Sequence, residues 1–439
     1  MKFSLHGVKV PHRKNTLNST AVRMPAPNTV TLLTQMHIGK PSKPVVKVGD
    51  KVKVGTLIAE ADGFVSAHVH SSVSGTVKKI EDVIMSSGSI CKGIVIESDG
   101  EMALDEKIAP PVIDSKESLI QAIAESGSVG LGGAGFPTNV KFNVDVDKLE
   151  EIIINGAECE PYITSDNYTM TERANDIKLA LSYFEKYLGV KKIIIGVEKN
   201  KPEAIRSMRS LAEQDGCLTV KVLPSIYPQG GEKVLIYHLT GKVVPMGKLP
   251  IDVGSIVVNC TTVAEIGRYI STGMPLIEKC VTVDGSAVSN PMNVIVPIGT
   301  SLADVFDFTG GFKEEPKKVI YGGPMMGTSV PSLNLPILKN NNAILAFNEK
   351  DSVGKKPEAC IKCGRCVNAC PFGINPPELA KAFADHDVEK MIKLGAETCM
   401  ECGCCSFVCP ANRPIVQNNK LIKAEIREYR NSKGKEAAK

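Results

Sequence analysis

Two cysteine runs carry the strongest chemical signal in this sequence. The first reads Cys360-x2-Cys363-x2-Cys366-x3-Cys370-Pro371, and the second repeats it as Cys399-x2-Cys402-x2-Cys405-x3-Cys409-Pro410. Thiolates at this spacing let one tight loop present three sulfurs to a cubane face, while the fourth cysteine, followed by proline, reaches over to the other cluster. The expected ligand sets are therefore Cys360, Cys363, Cys366 and Cys409 for one [4Fe–4S] cluster, and Cys399, Cys402, Cys405 and Cys370 for the other. Zinc sites show pairs of CxxC rather than runs of four ending in Cys-Pro, and disulfides belong to oxidising compartments. Such clusters move electrons one at a time.

A second constellation lies upstream. Gly130-Leu-Gly132-Gly133-Ala-Gly135-Phe136-Pro-Thr138 satisfies G-x-G-x-x-G at Gly130, Gly132 and Gly135, yet it follows a helical pattern rather than the strand a dinucleotide fingerprint requires. Successive residues without a Cβ still let backbone N–H groups approach a phosphate or a flat ring. Further on, Glu158 and Glu160 form an acidic turn at the end of an apolar strand, where ligands bind in open α/β sheets. Gly230-Gly231-Glu232-Lys233 opens another helical pattern. His68 and His70 share a strand face but have no third ligand nearby and read as structural. Cys404 falls off the ligand register. Cys91, Cys159, Cys217, Cys260 and Cys280 are scattered and read as buried small apolar residues.

The elements that must position these groups follow from periodicity. Residues 1–110 alternate apolar residues between Gly and Asp turns, which predicts a small two-sheet β domain. It resembles the lipoyl and biotinyl carriers, a barrel-sandwich hybrid, but the turn from Glu60 to Ala67 has no carrier lysine. Residues 112–255 alternate strands (152–155, 192–197, 218–223) with helices (115–126, 171–188, 202–212), the rhythm of a mostly parallel sheet covered on both faces. Short strands and a Gly-Thr-Ser helix start mark a further β domain at 256–315, and a Pro- and Asn-rich stretch within 316–355 reads as a linker. Between the cysteine runs Leu379, Ala382 and Phe383 recur at helical spacing, predicting a helical two-cluster module at 356–415.

Composition bounds the rest. The chain has 439 residues, 43% hydrophobic and 23% charged, as in ordinary globular proteins. Its net charge of +4 equals the excess within the expected basic tail, 416–439, where seven Lys and Arg from Lys420 onward face three Glu. There is no Trp and no basic-plus-aromatic patch, so nucleic acid is not indicated. No run approaches the ~20 apolar residues of a membrane span, and the first residues lack a signal-peptide core. Cluster thiolates call for a reducing compartment.

The Gly132–Thr138 segment with Lys141 resembles the flavin loop of the FMN-bearing, NADH-oxidising subunit of respiratory complex I. An Asn-x-x-Glu-x-Glu-Pro segment is matched by Asn155, Glu158, Glu160 and Pro161, a Gly-Glu helix start by Gly231 and Glu232, and an Asn-rich segment by Asn259. The resemblance implies that Gly132, Gly133, Gly135, Lys141, Asn155, Glu158 and Asn259 line a non-covalent FMN, that Phe136 and Glu160 face NAD(H), and that 256–315 is a β-grasp "SLBB" domain. The family's second glutamate is Lys233 here, which bears on the nucleotide site. The whole domain order, with Gln35–Pro41 and Tyr227–Glu232, resembles the RnfC family of the Rnf electron-transport complexes. That resemblance implies a peripheral subunit on the cytoplasmic side of the cell membrane, an NAD-linked oxidoreductase partnered by other Rnf subunits and indirectly by ferredoxin, with ion transport performed elsewhere. A non-catalytic relay protein and the cobalamin reductase of microcompartments share some of these motifs; the latter lacks the carrier-like domain before the flavin loop.

Overall fold

The computed structural model describes residues 6–352 and 354–437. Residues 1–5 of the first expected domain, Val353 of the expected linker, and the side chains of Lys435 and Lys439 in the expected tail lie outside the described set.

The first domain is a barrel-sandwich of two sheets. Strands Thr29–Leu33, Ile90–Ser98, Gly75–Ile84 and Lys51–Val52 form one, and Lys43–Pro44, Leu57–Glu60 and Val69–His70 the other. Alternation places Val30, Leu32, Ile94, Ile96, Ile58 and Val69 between them, as period-2 side-chain geometry requires. The chain does not stay in this domain. Val22–Arg23 pairs with Met292–Pro297, far along the chain, and residues 8–14 run against the second domain, with Val8 bridged to Tyr227.

The second domain is an all-parallel sheet in the order Leu218–Leu223, Ile193–Glu198, Glu151–Gly156, Ser255–Asn259. Three of its strands are near-continuous apolar runs because helices cover both faces, while the edge strand Leu218–Leu223 carries exposed Thr219 and Lys221. Helices Lys116–Glu125, Ser165–Glu172, Ala174–Leu188, Pro202–Ala212, Glu232–Thr240 and Cys260–Thr272 supply that cover. Two expectations change here. The helix expected over 171–188 is two helices meeting at Arg173, whose guanidinium pairs with Asp176 and Glu265. The boundary expected at 255 falls too early: Ser255–Asn259 is a strand of this sheet, and Cys260, Val263, Ala264 and Ile270 of the next helix belong to its core.

The third domain is built on the antiparallel pair Glu278–Asp284 and Met292–Pro297 with helix Leu302–Phe308. The segment expected as a linker, 316–355, is largely part of it. Lys318–Tyr321, Thr328–Ser329 and Ala343–Phe347 complete a six-stranded sheet, and Ala343, Ile344, Leu345 and Ala346 are buried. Two short buried runs, 319–321 and Ala343–Phe347, thus flank the Pro- and Asn-rich residues.

The fourth domain packs Pro376–Ala384 and Val388–Lys393 against helix Ile415–Ala437. The expected tail from 416 is therefore a packing helix: Ile422 and Ile426 are buried with Leu379, Ala382 and Met391. Among the described residues no helix is long and apolar enough to cross a membrane.

Candidate functional site

Strand order sets the site. From Glu151–Gly156 the chain adds two strands on one side, then returns to place Ser255–Asn259 on the other. This reversal opens a crevice at the carboxyl ends of the two strands, where Asn155 and Asn259 stand in register opposite each other. Asn259 Oδ1 accepts the N–H of Thr261 at 2.9 Å and caps the following helix, while its Nδ2 donates to Asp166 Oδ2 at 2.8 Å. Asn155 Nδ2 donates to the Gly230 carbonyl at 2.9 Å.

Three loops meet these asparagines. The glycine loop is held by Leu131 N–H on Thr262 Oγ1 and by Gly130 N–H on the Phe136 carbonyl. A Cβ on Gly132 would stand 2.6 Å from Asn259 Nδ2, whereas one on Gly133 would meet nothing within 4 Å. Gly132 and Gly133 are exposed, Gly135 is buried with φ +68°, and Phe136 is half-buried. The Gly230–Gly231 turn borders Asn155 and starts helix Glu232–Thr240, whose first N–H groups have no side-chain cap. Lys141 Nζ donates to Glu232 Oε1 at 2.9 Å and to the Val257 carbonyl at 2.8 Å. Among the described residues Lys233 Nζ reaches only the Pro245 carbonyl, at 3.5 Å.

The acidic turn is buried. Glu158 Oε1 accepts the Asp166 N–H at 2.7 Å, and Oε2 lies 3.9 Å from Lys201 Nζ without a hydrogen bond. Burial lifts its carboxyl to about 6 against the pull of Lys14 and Lys201. Lys14 Nζ donates to the carbonyls of Glu158, Glu160 and Ile163, and burial beside Lys201 lowers it to about 8. Glu160 is engaged elsewhere than the asparagines: its oxygens accept the N–H groups of Met325 (3.0 Å) and Met326 (2.8 Å), and burial raises it to about 7. Cys159 is half-buried, accepts the Gly230 N–H at 3.3 Å, and is pushed up to about 12 by burial. Cys217 is also half-buried, whereas Cys91, Cys260 and Cys280 are buried as expected.

The eight motif cysteines gather at two cavities. One of about 670 Å³ is lined by Cys360, Cys363, Cys366 and Cys409. A smaller one is lined by Cys370, Cys399, Cys402 and Cys405, with Cys404 beside them. The second sits against the parallel-sheet domain. Tyr227 Oη donates to the Cys402 carbonyl at 2.6 Å, Cys404 Sγ lies 3.8 Å from the Tyr227 carbonyl, and a Cβ on Gly231 would meet Met400 Cε at 2.5 Å.

Family models match in the same order as these domains: an RnfC barrel sandwich hybrid domain at 2–101, a Nuo51 FMN-binding domain at 123–268, an SLBB domain at 280–329 and a 4Fe-4S dicluster domain at 352–410. The C component of the Na(+)-translocating ferredoxin:NAD(+) oxidoreductase complex of Acetobacterium woodii is 40% identical over 96% of this chain and 96% of its own. The chain belongs to the RnfC family. The C component of the proton-translocating ferredoxin:NAD(+) oxidoreductase complex of Clostridium ljungdahlii is 43% identical over 84% of this chain and 81% of its own. That of the ion-translocating oxidoreductase complex of Rhodobacter capsulatus is 38% identical over 98% of this chain and 85% of its own. This RnfC-family chain thus combines an FMN-binding domain with a two-cluster [4Fe–4S] domain.

Several residues of the RnfC site gave no sequence signal. Lys14 and Lys201 hold the acidic turn from distant positions, and Asp166 orients Asn259. Asn340, in the supposed linker, donates to the Gly133 carbonyl at 2.7 Å. An isolated lysine or asparagine in a loop has no pattern; Lys201 stands just before the Pro202 helix start.

Proposed function

We propose that this chain is the peripheral electron-transfer subunit of an Rnf-type complex, exchanging electrons with NAD(H) at FMN and passing them singly through two [4Fe–4S] clusters to other subunits. Ferredoxin is the complex's low-potential partner, reached indirectly; ion transport is the work of the other subunits, and this one lies on the cytoplasmic face of the membrane. The carrying observation is continuity: Asn155 bonds the Gly230 turn, Gly231 touches Met400, and Tyr227 bonds Cys402. The crevice and the second cysteine cavity are therefore joined by one turn.

Bound FMN supplies hydride acceptance and single-electron release, a conversion the protein assists by position and field. The residues proposed to hold it are Gly132, Gly133 and Gly135, which leave room for a flat ring, with Asn155, Asn259 and Lys141 at the strand ends and Glu158 beneath. Gly231 and Glu232 stand at the uncapped start of helix Glu232–Thr240, whose first N–H groups are suited to a phosphate. Phe136 is proposed to face the nicotinamide nucleotide. Glu160, in contact with Met325 and Met326, acts instead as an anchor between domains. Four thiols around each of two cavities support the crossed ligand sets, Cys360, Cys363, Cys366 with Cys409, and Cys399, Cys402, Cys405 with Cys370.

Anaerobically purified protein is expected to contain about eight irons and one acid-releasable FMN per chain, and its flavin absorbance is expected to bleach with NADH. About four irons would contradict the paired clusters. Eight irons without flavin would leave a pure electron relay instead.

A further inference from the structure

We propose that the loop around Cys360–Cys366 is a docking surface for an acidic protein that exchanges single electrons with this chain. The proposal rests on the electron-transfer reading above and assigns its outlet. Its basis is a difference between two otherwise matching loops. Cys360-Ile-Lys-Cys-Gly-Arg-Cys366 corresponds position by position to Cys399-Met-Glu-Cys-Gly-Cys-Cys405. Where the second loop has Glu401 and Cys404, the first has Lys362 and Arg365.

The surroundings differ in the same sense. Glu401 is paired with Lys423 at 2.6 Å, and Cys404 is buried against Tyr227. Lys362 and Arg365 are exposed, as is Lys381 on the adjacent helix, and among the described residues none of the three has an ion-pair partner. With Arg413 they rim the cavity of the first cysteine set, against one carboxylate there, Glu378. Ile361 stands 67% exposed between the cysteines. If these cations served only to offset cluster charge, the second loop would need them equally, yet it carries a glutamate. An apolar centre ringed by unpaired cations is the anatomy of a surface for an acidic partner. Lys355 and Lys356, exposed and without an ion-pair partner among the described residues, precede this loop closely in the chain.

The test uses the full, cluster-loaded chain and cytochrome c in two forms sharing one haem, native (basic) and succinylated (acidic). Carbodiimide cross-linking with peptide mapping is expected to join the succinylated form to Lys362 and Lys381. Its binding is expected to weaken about tenfold at raised ionic strength and in the Arg365→Glu/Lys381→Glu variant. With NADH as donor, each NADH reduces two ferric haems, giving NAD+, two ferrous haems and one proton. Wild-type protein is expected to prefer the acidic acceptor and the variant the basic one. A second variant, Lys355→Glu/Lys356→Glu, lies outside the cysteine loop and is expected to shift the preference in the same direction with iron content unchanged. Cross-links mapping elsewhere, or a preference neither variant alters, would overturn the docking surface. Failure of wild-type protein to reduce menadione, a small uncharged quinone, with NADH would overturn the electron-transfer reading instead.

Discussion

The loops at 360–366 and 399–405 share a cysteine pattern, a left-handed glycine and a short helix, yet one is covered and the other open. The inner loop is enclosed by Tyr227, Met325 and the Gly231 turn, and Cys402, Cys404 and Cys405 are buried. The outer loop exposes Cys360 and Cys363 and has no equivalent neighbours among the described residues. What distinguishes two copies of one motif is thus the surface each was given to face: the flavin-type domain for the inner, an external partner for the outer. The intervening residues follow suit, Met400 and Cys404 packing inward while Lys362 and Arg365 remain in water.

The largest expected effect comes from breaking one ligand set at a time. Cys402→Ser and Cys363→Ser are each expected to lose about four irons per chain, measured by iron analysis. Only Cys402→Ser is expected also to loosen the domain junction, giving faster proteolysis between 347 and 399 and a lower Tm than its outer counterpart. Equal losses of stability would mean the inner loop is no better supported than the outer.

The next effect is a pH dependence confined to the inner side. Glu160 holds the Met325–Met326 turn that covers the inner loop, and burial raises its carboxyl from near 4.5 to about 7. A carboxyl raised in the folded chain contributes stability that is complete below its unfolded value and lost as pH rises through the folded value. Between pH 5 and pH 8 this amounts to about 2–3 kcal/mol, so denaturant midpoints of wild-type protein are expected to fall over that window, and to fall less in Glu160→Gln. Parallel profiles for the two proteins would remove Glu160 from this role.

A smaller effect separates the paired glycines. Gly364 and Gly403 have φ of +72° and +84°, so alanine costs about 1–2 kcal/mol of backbone strain at either. At Gly403 the added Cβ would also lie 2.9 Å from the Met325 carbonyl, while at Gly364 nothing lies within 4 Å. Gly403→Ala is therefore expected to be worse by about 1–2 kcal/mol in chemical denaturation, and identical values would show that Met325 gives way.

The sequence exposes this contrast only in part. Cysteine spacing and the glycine loop were legible because each is a local pattern with a chemical reason. Strands 151–156 and 193–198 were legible because a buried parallel strand is a nearly unbroken apolar run, and the edge strand 218–223 because its apolar residues alternate with Thr219 and Lys221. Ser255–Asn259 was assigned to the wrong domain because nothing local says which sheet a strand joins. Ala343–Phe347 was hidden by its polar neighbours, and helix Ile415–Ala437 by its charge, although Ile422 and Ile426 lie four apart on one face. Lys14 and Glu160 act across 144 and 165 residues, a separation at which a single sequence carries no record of contact.

The central claim is that the inner cluster stands between the crevice at Asn155–Asn259 and the outer cluster. Freeze-quench electron paramagnetic resonance after mixing with NADH tests it most directly. In Cys363→Ser the remaining cluster is expected to be reduced by NADH as in wild-type protein. In Cys402→Ser the remaining cluster is expected to accept electrons from dithionite but not from NADH. Reduction of that outer cluster by NADH at the wild-type rate would contradict the arrangement.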